Sequence, residues 1–447
     1  MATVSGSRAW SSHAAGRRRE LTVALTGSVI AAGTVAYGFV ARADGAVLGT
    51  SLAPFLADAR PVVRPTMLPA LVLLAVAVPL ALRLRAPGVS PARFLIATLG
   101  LGVALRAALG MARRGPEGLW GVYELGNHEA ASEYLPALPA FEFGTRFFLD
   151  TFAEIGTALP VHAIGHPPGL LVTLHLLGIE GPHAMAALTI GIGVLSVPLA
   201  YALARMVLPE ATARTAALLY LFAPSALLYG ATSADALYAT VGLLAAVPLA
   251  AVAVRRTLPR PALLAGASGL VLASFFSYAN LAIGAWAAIV ALARTGFARM
   301  VGLGAACALA LALAYAALHL ATGYDPIGVV RATEIVYREG IASTRPYAFW
   351  AFGSPVAFLV SAGLPVGWLA LRAAGAGHAV AMALLAVVVI AAVLGFTKAE
   401  TERIYQFLVP IACVAAAPMV SPGWLPAVLA ALAAQALATE LLLYTVW

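Results

Sequence analysis

The sequence predicts an all-α fold, a polytopic bundle of about 13 transmembrane helices with juxtamembrane helices on the extracytoplasmic side. Hydrophobic residues make up 62% of the 447 residues and charged residues only 10%, whereas soluble domains are about 45–50% apolar and about 25% charged. The apolar runs are continuous, as in residues 71–84, rather than alternating as in an outer-membrane barrel. Water-soluble folds and barrels are therefore excluded.

Each predicted span is an apolar run of about 17–25 residues, which is long enough to cross a bilayer. We place the spans at 21–41, 67–85, 93–112, 184–206, 212–229, 237–254, 262–276, 279–294, 299–322, 355–371, 378–396, 404–420 and 424–446. With the N-terminus inside, every inner connection except 421–423 contains Arg, as cytoplasmic loops usually do. Arg17, Arg18 and Arg19 precede the first span without a convincing cleavage site, so we expect a retained anchor in the cell membrane.

Residues 167–180 are apolar but too short for a span, since a span needs about 17 residues or more. If they crossed the membrane, all later Arg clusters would face outward. We therefore predict an interfacial helix on the outer side. Three outer segments result, at 113–183, 323–354 and 397–403. We divide the chain into three predicted regions. Residues 1–92 form a cytoplasmic tail with two extra spans, residues 93–410 form the main transmembrane module, and residues 411–447 form the C-terminal helices.

The first outer segment, 113–183, concentrates the titratable residues of the chain. It holds eight of the 19 acidic residues and five of the eight histidines, and loops longer than about 12–15 residues are usually functional or disordered. We predict a helix from Asn127, with Glu129 and Glu133 on one face. Paired carboxylates favour a raised pKa, which suits a general base. The alternative is an ordinary solvated helix with surface acids.

Two further positions carry a functional and a structural interpretation. His166 precedes Pro167 and Pro168 at the start of the interfacial helix, where it faces either solvent or an anionic ligand, although a lone histidine is more often structural. Asp235 is the one acid near the outer end of its span. Acids at a membrane edge are costly and usually functional, but Asp235, or Ser233, also suits the N-cap of the helix over 237–254.

The second outer segment is rich in arginine, against the positive-inside trend. It carries Arg331, Arg338 and Arg345 beside Tyr347. Guanidinium groups bind phosphate bidentately, so we expect phosphate or lipid-headgroup contacts from these arginines. Tyrosine at this depth is also typical of an interface belt.

Arginine also occurs in the third outer segment and inside one span. Arg403 lies directly before the predicted span 404–420, where it either binds a phosphate or pairs locally with Glu400. Arg106, within the third span, either has an anionic partner in the bundle or extends to the outer interface.

In the order and sidedness of these motifs the chain resembles the GT-C class of integral membrane glycosyltransferases, which includes protein O-mannosyltransferases and lipid A aminoarabinose transferases. The matching stretches are Glu129 to Tyr134, His166-Pro167-Pro168, Pro224 through Asp235, and 401–410, within 93–410. The resemblance implies transfer of a sugar from a polyprenyl-phosphate carrier, with an acid of the first outer loop as catalytic base.

Carried onto this chain, the resemblance implies Glu129 as the base, with Glu133 and Glu124 as competitors. Where the class has an Asp or an Asp-Glu pair, this chain has His128-Glu129. The expected substrate-binding residues are His128, Tyr134, His162, His166, Asp235, Arg331, Arg338, Arg345, Tyr347 and Arg403. The donor would be a lipid-linked sugar and the acceptor a glycan, lipid or protein. No cofactor is certain, and a divalent metal is compatible with the acids and histidines, although no metal-ligand spacing is diagnostic.

Two other functions remain open. A lipid or solute transporter would place charges at mid-membrane and often shows repeats, whereas here the charges collect in outer loops. A non-catalytic scaffold of the cell envelope fits if the His128-Glu129 departure means lost activity. Nucleic-acid binding is excluded, because the arginines are scattered without interleaved aromatics.

Overall fold

The computed structural model describes the backbone of residues 5–445 and the side chains of 16–445 apart from residue 341. The chain is 79% helical, which confirms the predicted helical bundle. The only regular strands of this described part are two residues long, and Asp58–Ala59 pairs antiparallel with Leu443–Tyr444. Residues 1–4 of the predicted cytoplasmic tail lie outside the described residues.

The helices of the described chain follow one another with short connections. They are α1 Ser5–Ala43, α2 Leu68–Leu84, α3 Pro91–Arg114, α4 Gly144–Thr151, α5 Val161–Ile164, α6 Gly169–Leu177, α7 Pro182–Gly193, α8 Ser196–Val207, α9 Glu210–Leu221, α10 Pro224–Thr232, α11 Asp235–Val254, α12 Arg260–Phe276, α13 Leu281–Thr295, α14 Phe297–Thr322, α15 Pro326–Glu339, α16 Tyr347–Ser361, α17 Leu364–Gly375, α18 Ala379–Leu394, α19 Thr401–Ile404, α20 Val409–Ala416 and α21 Leu425–Leu442.

Eight helical stretches of the described residues are long and apolar enough to cross a membrane, or up to ten if two bent pairs each count as one span. These pairs are α9–α10, bent by 54°, and α16–α17, bent by 112°. Pro224 starts α10, and its missing N–H cannot continue the hydrogen bonding of a preceding helix. The structure thus has eight to ten helical stretches that could span a membrane, which fits a multi-pass protein, and the count of about 13 stays a prediction.

Two predicted spans differ in form from single helices. The predicted span 355–371 contains the 112° bend after Ser361, and its helix already begins at Tyr347, inside the predicted outer segment. The predicted span 404–420 is interrupted, because a 3-10 turn over Tyr405–Leu408 separates α19 from α20. Both stretches are apolar enough to suggest one span, and only the backbone geometry reveals the breaks.

The core of the bundle forms around α11, of which 78% is buried. This helix packs against α8, α12 and α13. The contact with α12 is close, because a Cβ added at Gly269 would lie 3.0 Å from Ala245 Cα. Glycine therefore permits these two helices to approach with their backbones nearly touching.

The two ends of the bundle differ in their side chains and in their secondary structure. At the arginine end, around Arg214 and Arg299, guanidinium groups donate to backbone carbonyls, such as those of Val89 in the loop after α2 (2.7 Å) and Val252 in the last turn of α11 (2.9 Å). At the opposite end, the site end, residues 113–183 form short helices and 3-10 turns between α3 and α7. The predicted interfacial helix is the short helix α6.

The predicted helix from Asn127 is wrong. Residues Glu129–Ser132 and Leu135–Phe141 form 3-10 turns instead. Pro136 and Pro139 fall within the second turn, and because proline lacks an N–H, it prevents a continuous α-helix there. Glu129 and Glu133 therefore do not share the face of one α-helix.

Candidate functional site

Glu129 and Glu133 nevertheless come together at the site end, on either side of a histidine. His162 Nε2 lies 2.9 Å from Glu129 Oε1. One carboxylate oxygen of each glutamate and a ring nitrogen of His162 all lie within 4.8 Å of one another. Glu133 is 2% exposed, whereas the Glu129 side chain retains 13% of its exposure. We call these three residues the carboxylate–histidine cluster, and among the described residues it is the group able to hold a metal ion.

Local backbone contacts hold this cluster in place. The Asn127 side chain donates to the carbonyl of Gly121 (2.9 Å) and accepts from the Glu129 N–H (3.1 Å). Asn127 thus does what a cap does, but for a 3-10 turn rather than for an α-helix. His162 lies on α5, which follows Pro160 and is capped at its C-terminal end by Gly165.

A chain of buried ion pairs lies beside the cluster. Arg403 Nη1 lies 2.6 Å from Asp235 Oδ2, and Arg403 Nη2 lies 2.9 Å from Glu400 Oε2. Arg345 Nη2 lies 2.8 Å from the other oxygen of Glu400. All four residues are less than 9% exposed. We call Asp235, Arg403, Glu400 and Arg345 the ion-pair chain.

The predicted N-cap role of Asp235 or Ser233 is wrong, because α11 begins at Asp235 itself and its N-cap residue is Ala234, without a side-chain capping hydrogen bond. Ser233 Oγ accepts from the Asp235 N–H (3.2 Å) and donates to Asp235 Oδ2 (2.6 Å). The Asp235 carboxylate therefore bonds the Ser233 hydroxyl and also pairs with Arg403. Arg403 pairs locally with Glu400, as the local alternative predicts, and at the same time with Asp235 across the fold.

The charges of the ion-pair chain stabilise one another. Burial raises the pKa of the Glu400 carboxyl, but Arg403 and Arg345 outweigh burial and hold this pKa at about 2. Burial lowers the pKa of Arg403, but Asp235 and Glu400 outweigh it and raise the pKa well above the ordinary value. Glu400 and Arg403 are therefore ionised across the physiological range.

His162 connects the two groups electrostatically. Burial lowers its pKa, but the hydrogen bond to Glu129 and the charge of Glu133 outweigh burial, and the pKa lies above its ordinary value. The charges of Arg403 and Glu400 also act on His162. The cluster and the ion-pair chain therefore form one electrostatic site, with His162 able to carry a proton near neutrality.

An aromatic wall closes one side of the site. Tyr238 donates a hydrogen bond to the hydroxyl of Tyr134 (2.8 Å), and the His166 ring lies 4.7 Å from the Tyr238 ring. His166 Nδ1 is buried and has no hydrogen-bond partner within the described structure. Burial lowers the pKa of His166 to about 4. His166 is thus neutral at physiological pH and offers a hydrogen-bonding atom rather than a cation for an anionic ligand.

The sequence did not point to Glu402 as a site residue. In the structure, the loop between α1 and α2 packs against this glutamate. Glu402 is 5% exposed, and its Oε1 accepts from the Leu56 N–H (2.6 Å). Burial raises the pKa of this carboxyl to about 7. The same loop also binds α16, since Trp350 Nε1 donates to the carbonyl of Leu48 (3.1 Å). The first two spans, to which sequence alone assigns no role, therefore supply a loop that covers one side of the site.

The other predicted site residues lie on the surface. Those exposed are Glu124, His128, Arg331, Arg338 and Tyr347. Arg338 pairs with Glu334 one helical turn away (2.8 Å), and Tyr347 donates to the carbonyl of Val393. The described contacts do not bring these five side chains to the ion-pair chain.

The same outer segment forms an open, largely apolar groove of about 380 Å³. Its lining includes Pro136, Phe143, Phe147 and Pro160. Pro136 follows Glu133 and Pro160 precedes His162 by only a few residues in the chain, although none of the three cluster residues lines the groove. Phe143 is 71% exposed, which leaves the groove accessible to an apolar ligand.

Arg106 lies within the bundle, away from the interface. It is 1% exposed, so the expectation that it extends to the outer interface is wrong. Its Nη2 donates to Ser196 Oγ (3.2 Å), and no described hydrogen bond or ion pair joins it to an acid. Gly230 and Gly193 pack closely around its guanidinium, so it is enclosed rather than paired.

Comparison with protein-family models, curated proteins and solved structures finds no significant match.

Proposed function

We propose that the protein is a membrane glycosyltransferase that moves a sugar from a polyprenyl-phosphate carrier to a cell-envelope acceptor. The observation that carries the proposal is the partly exposed Glu129, held by His162 at the edge of a buried, highly charged site. A glycan, lipid or protein hydroxyl is the expected acceptor. The site end faces outward in this proposal, because the connections at the arginine end contain the Arg residues typical of cytoplasmic loops.

Glu129 acts as the general base in the proposed reaction. Its carboxylate takes the proton of the acceptor hydroxyl, and the acceptor oxygen forms a bond with the anomeric carbon of the donor sugar. The bond from that carbon to the carrier phosphate breaks, and its electron pair leaves with the phosphate. His162 orients Glu129 through the 2.9 Å contact, and an oriented base contributes about 10²–10⁴-fold to such a rate.

The groove beside the cluster supplies a place for the apolar part of a lipid-linked substrate. Its walls are mostly proline, alanine, leucine and phenylalanine, and such surfaces bind hydrocarbon by removing it from water. Since Pro136 and Pro160 of the groove are within a few residues of Glu133 and His162 in the chain, a prenyl chain in the groove is expected to present its phosphate and sugar to Glu129.

A transporter is the second candidate, because one feature favours it. Arg106 is a fully buried cation beside interrupted helices, since α7 and α8 are separated at 194–195 and α9 and α10 are bent by 54°. Discontinuous helices and buried charges are typical of transporter binding sites. The enclosed packing of Arg106 and the concentration of charge at the site end favour the transferase.

The experiment uses purified full-length protein and a panel of labelled polyprenyl-phosphate sugars. Release of polyprenyl phosphate supports the transferase, and Glu129→Gln is expected to abolish it. Glu154→Gln, an exposed acid of the same segment, is the control and should retain full release. Full activity of Glu129→Gln rejects the assignment of the base. Absence of release with every donor, together with flux of a labelled substrate into proteoliposomes, supports the transporter, and absence of both supports the scaffold.

A further inference from the structure

The carboxylate–histidine cluster has the geometry of a metal site. Its three candidate ligand atoms, from Glu129, Glu133 and His162, lie within 4.8 Å of one another. Ligand atoms bound to one ion at 2.0–2.2 Å are at most about 4.4 Å apart. A small shift of the side chains therefore brings all three onto one ion, and Glu129 retains 13% of its side-chain exposure.

The charge balance of the site independently indicates a cation. Four carboxylates, Glu129, Glu133, Asp235 and Glu400, face two guanidinium groups, Arg345 and Arg403. Four negative charges minus two positive charges leave a surplus of two, before His162 is counted. Glu402, with its pKa of about 7, adds further negative charge as it ionises. Buried charge of this kind is costly unless it is compensated.

Both guanidinium groups are already engaged. Arg403 holds Asp235 and Glu400, and Arg345 holds Glu400 and the carbonyl of Lys398 (2.7 Å). Neither guanidinium group therefore offers an uncompensated positive charge to a phosphate that enters the site. The other two arginines of the second outer segment, Arg331 and Arg338, are exposed on the surface of α15. A phosphate entering this site needs another cation.

We propose that Glu129, Glu133 and His162 bind a divalent cation, and that this cation receives the phosphate of the lipid-linked donor. The mixed set of two carboxylates and one imidazole suits Mn²⁺ or Zn²⁺ better than Ca²⁺, which prefers oxygen ligands alone. With the ion bound, the metal rather than the hydrogen bond from His162 would orient Glu129, one of whose oxygens would bind the ion while the other stays available as the base. The two positive charges of the ion offset the surplus of two negative charges. The role toward phosphate rests on the proposed function, whereas the binding of the ion does not.

The test measures metal binding directly on the full chain in detergent after removal of metals by chelation. Mn²⁺ is titrated and the free ion followed by electron paramagnetic resonance, and Zn²⁺ is titrated by calorimetry. We expect one site per chain, weakened at least about tenfold in Glu133→Gln and in His162→Gln. Glu154→Gln, an exposed acid outside the cluster, is expected to bind as the wild type does. If Glu133→Gln does not fold, Glu129→Gln at the more exposed edge takes its place.

The outcomes separate the two proposals. Equal binding by the wild type and the cluster variants, or no stoichiometric binding, means that His162 alone compensates the carboxylates and overturns the metal site. Release of polyprenyl phosphate that is unchanged by chelation overturns the role toward phosphate but leaves the transferase intact. Specific binding with no release from any donor supports the site and counts against the transferase.

Discussion

Removal of the Arg403 charge is expected to be among the most destabilising single changes at the site. In Arg403→Met the aliphatic stem is kept, but the contacts to Asp235 (2.6 Å) and Glu400 (2.9 Å) are lost. Glu400 retains Arg345, whereas the Asp235 carboxylate, at 3% exposure, keeps only the hydrogen bond from the Ser233 hydroxyl among the described contacts. Removing one partner of a buried pair costs about 3–5 kcal/mol, because an uncompensated charge remains in a medium of low dielectric constant.

The chain contains a matched control for this change. Arg338 Nε lies 2.8 Å from Glu334 Oε1, a distance like those at Arg403, but these two side chains are 59% and 54% exposed. Water screens an exposed pair, so Arg338→Met is expected to cost about 0–1 kcal/mol. The two variants remove the same functional group and differ mainly in burial.

The measurement is the free energy of unfolding in detergent micelles, followed by circular dichroism during titration with a denaturing detergent. A double variant, Arg403→Met with Asp235→Asn, completes the comparison, because it removes the stranded charge as well. We expect it to recover about 1–3 kcal/mol relative to Arg403→Met. A loss in Arg403→Met no larger than in Arg338→Met would refute the reasoning that burial makes these pairs decisive.

Three further predictions concern groups that burial perturbs. Glu402 has a pKa of about 7 in the folded state against an ordinary 4.5. Between these values the folded state holds a proton that the unfolded state releases, so the free energy of unfolding falls by about 3 kcal/mol as pH rises from 4.5 to 7. Glu402→Gln should show less of this fall when unfolding is measured as a function of pH. His166 has the opposite sign, with a pKa of about 4 against 6.5, so stability falls as pH drops from 6.5 towards 4, and a His166→Phe variant as pH-sensitive as the wild type would contradict the assignment. Arg106 is buried without an acidic partner among the described contacts, so Arg106→Met should leave the unfolding free energy unchanged or raise it by about 1–4 kcal/mol, and a marked loss would show that the cation is compensated.

The sequence was sufficient to locate the chemistry but not to assemble it. The concentration of acids and histidines in 113–183 predicted that segment as functional, and the structure places Glu129, Glu133 and His162 together there. The predicted reason, one face of an α-helix, is wrong, because prolines impose 3-10 turns. Proximity of the two carboxylates arises from the path of the loop, which no periodicity in the sequence describes.

No feature of the sequence distinguishes among the three arginines of the second outer segment. Arg331, Arg338 and Arg345 have similar neighbours in the chain, but only Arg345 becomes buried, since it packs against Glu400. Glu402 was missed for a similar reason. Its raised pKa depends on burial under the loop after α1, which lies far away in the chain.

The amino-acid sequence by itself determined the class of structure, a bundle of apolar helices that fits a membrane protein. Long apolar runs with few charges are incompatible with a water-soluble core, and their lengths dictate helices of membrane thickness. Only the tertiary structure decided which charges meet. Asp235 and Arg403 are 168 positions apart, and the energy of their pairing depends on distance and local dielectric, quantities that exist only once the helices have packed.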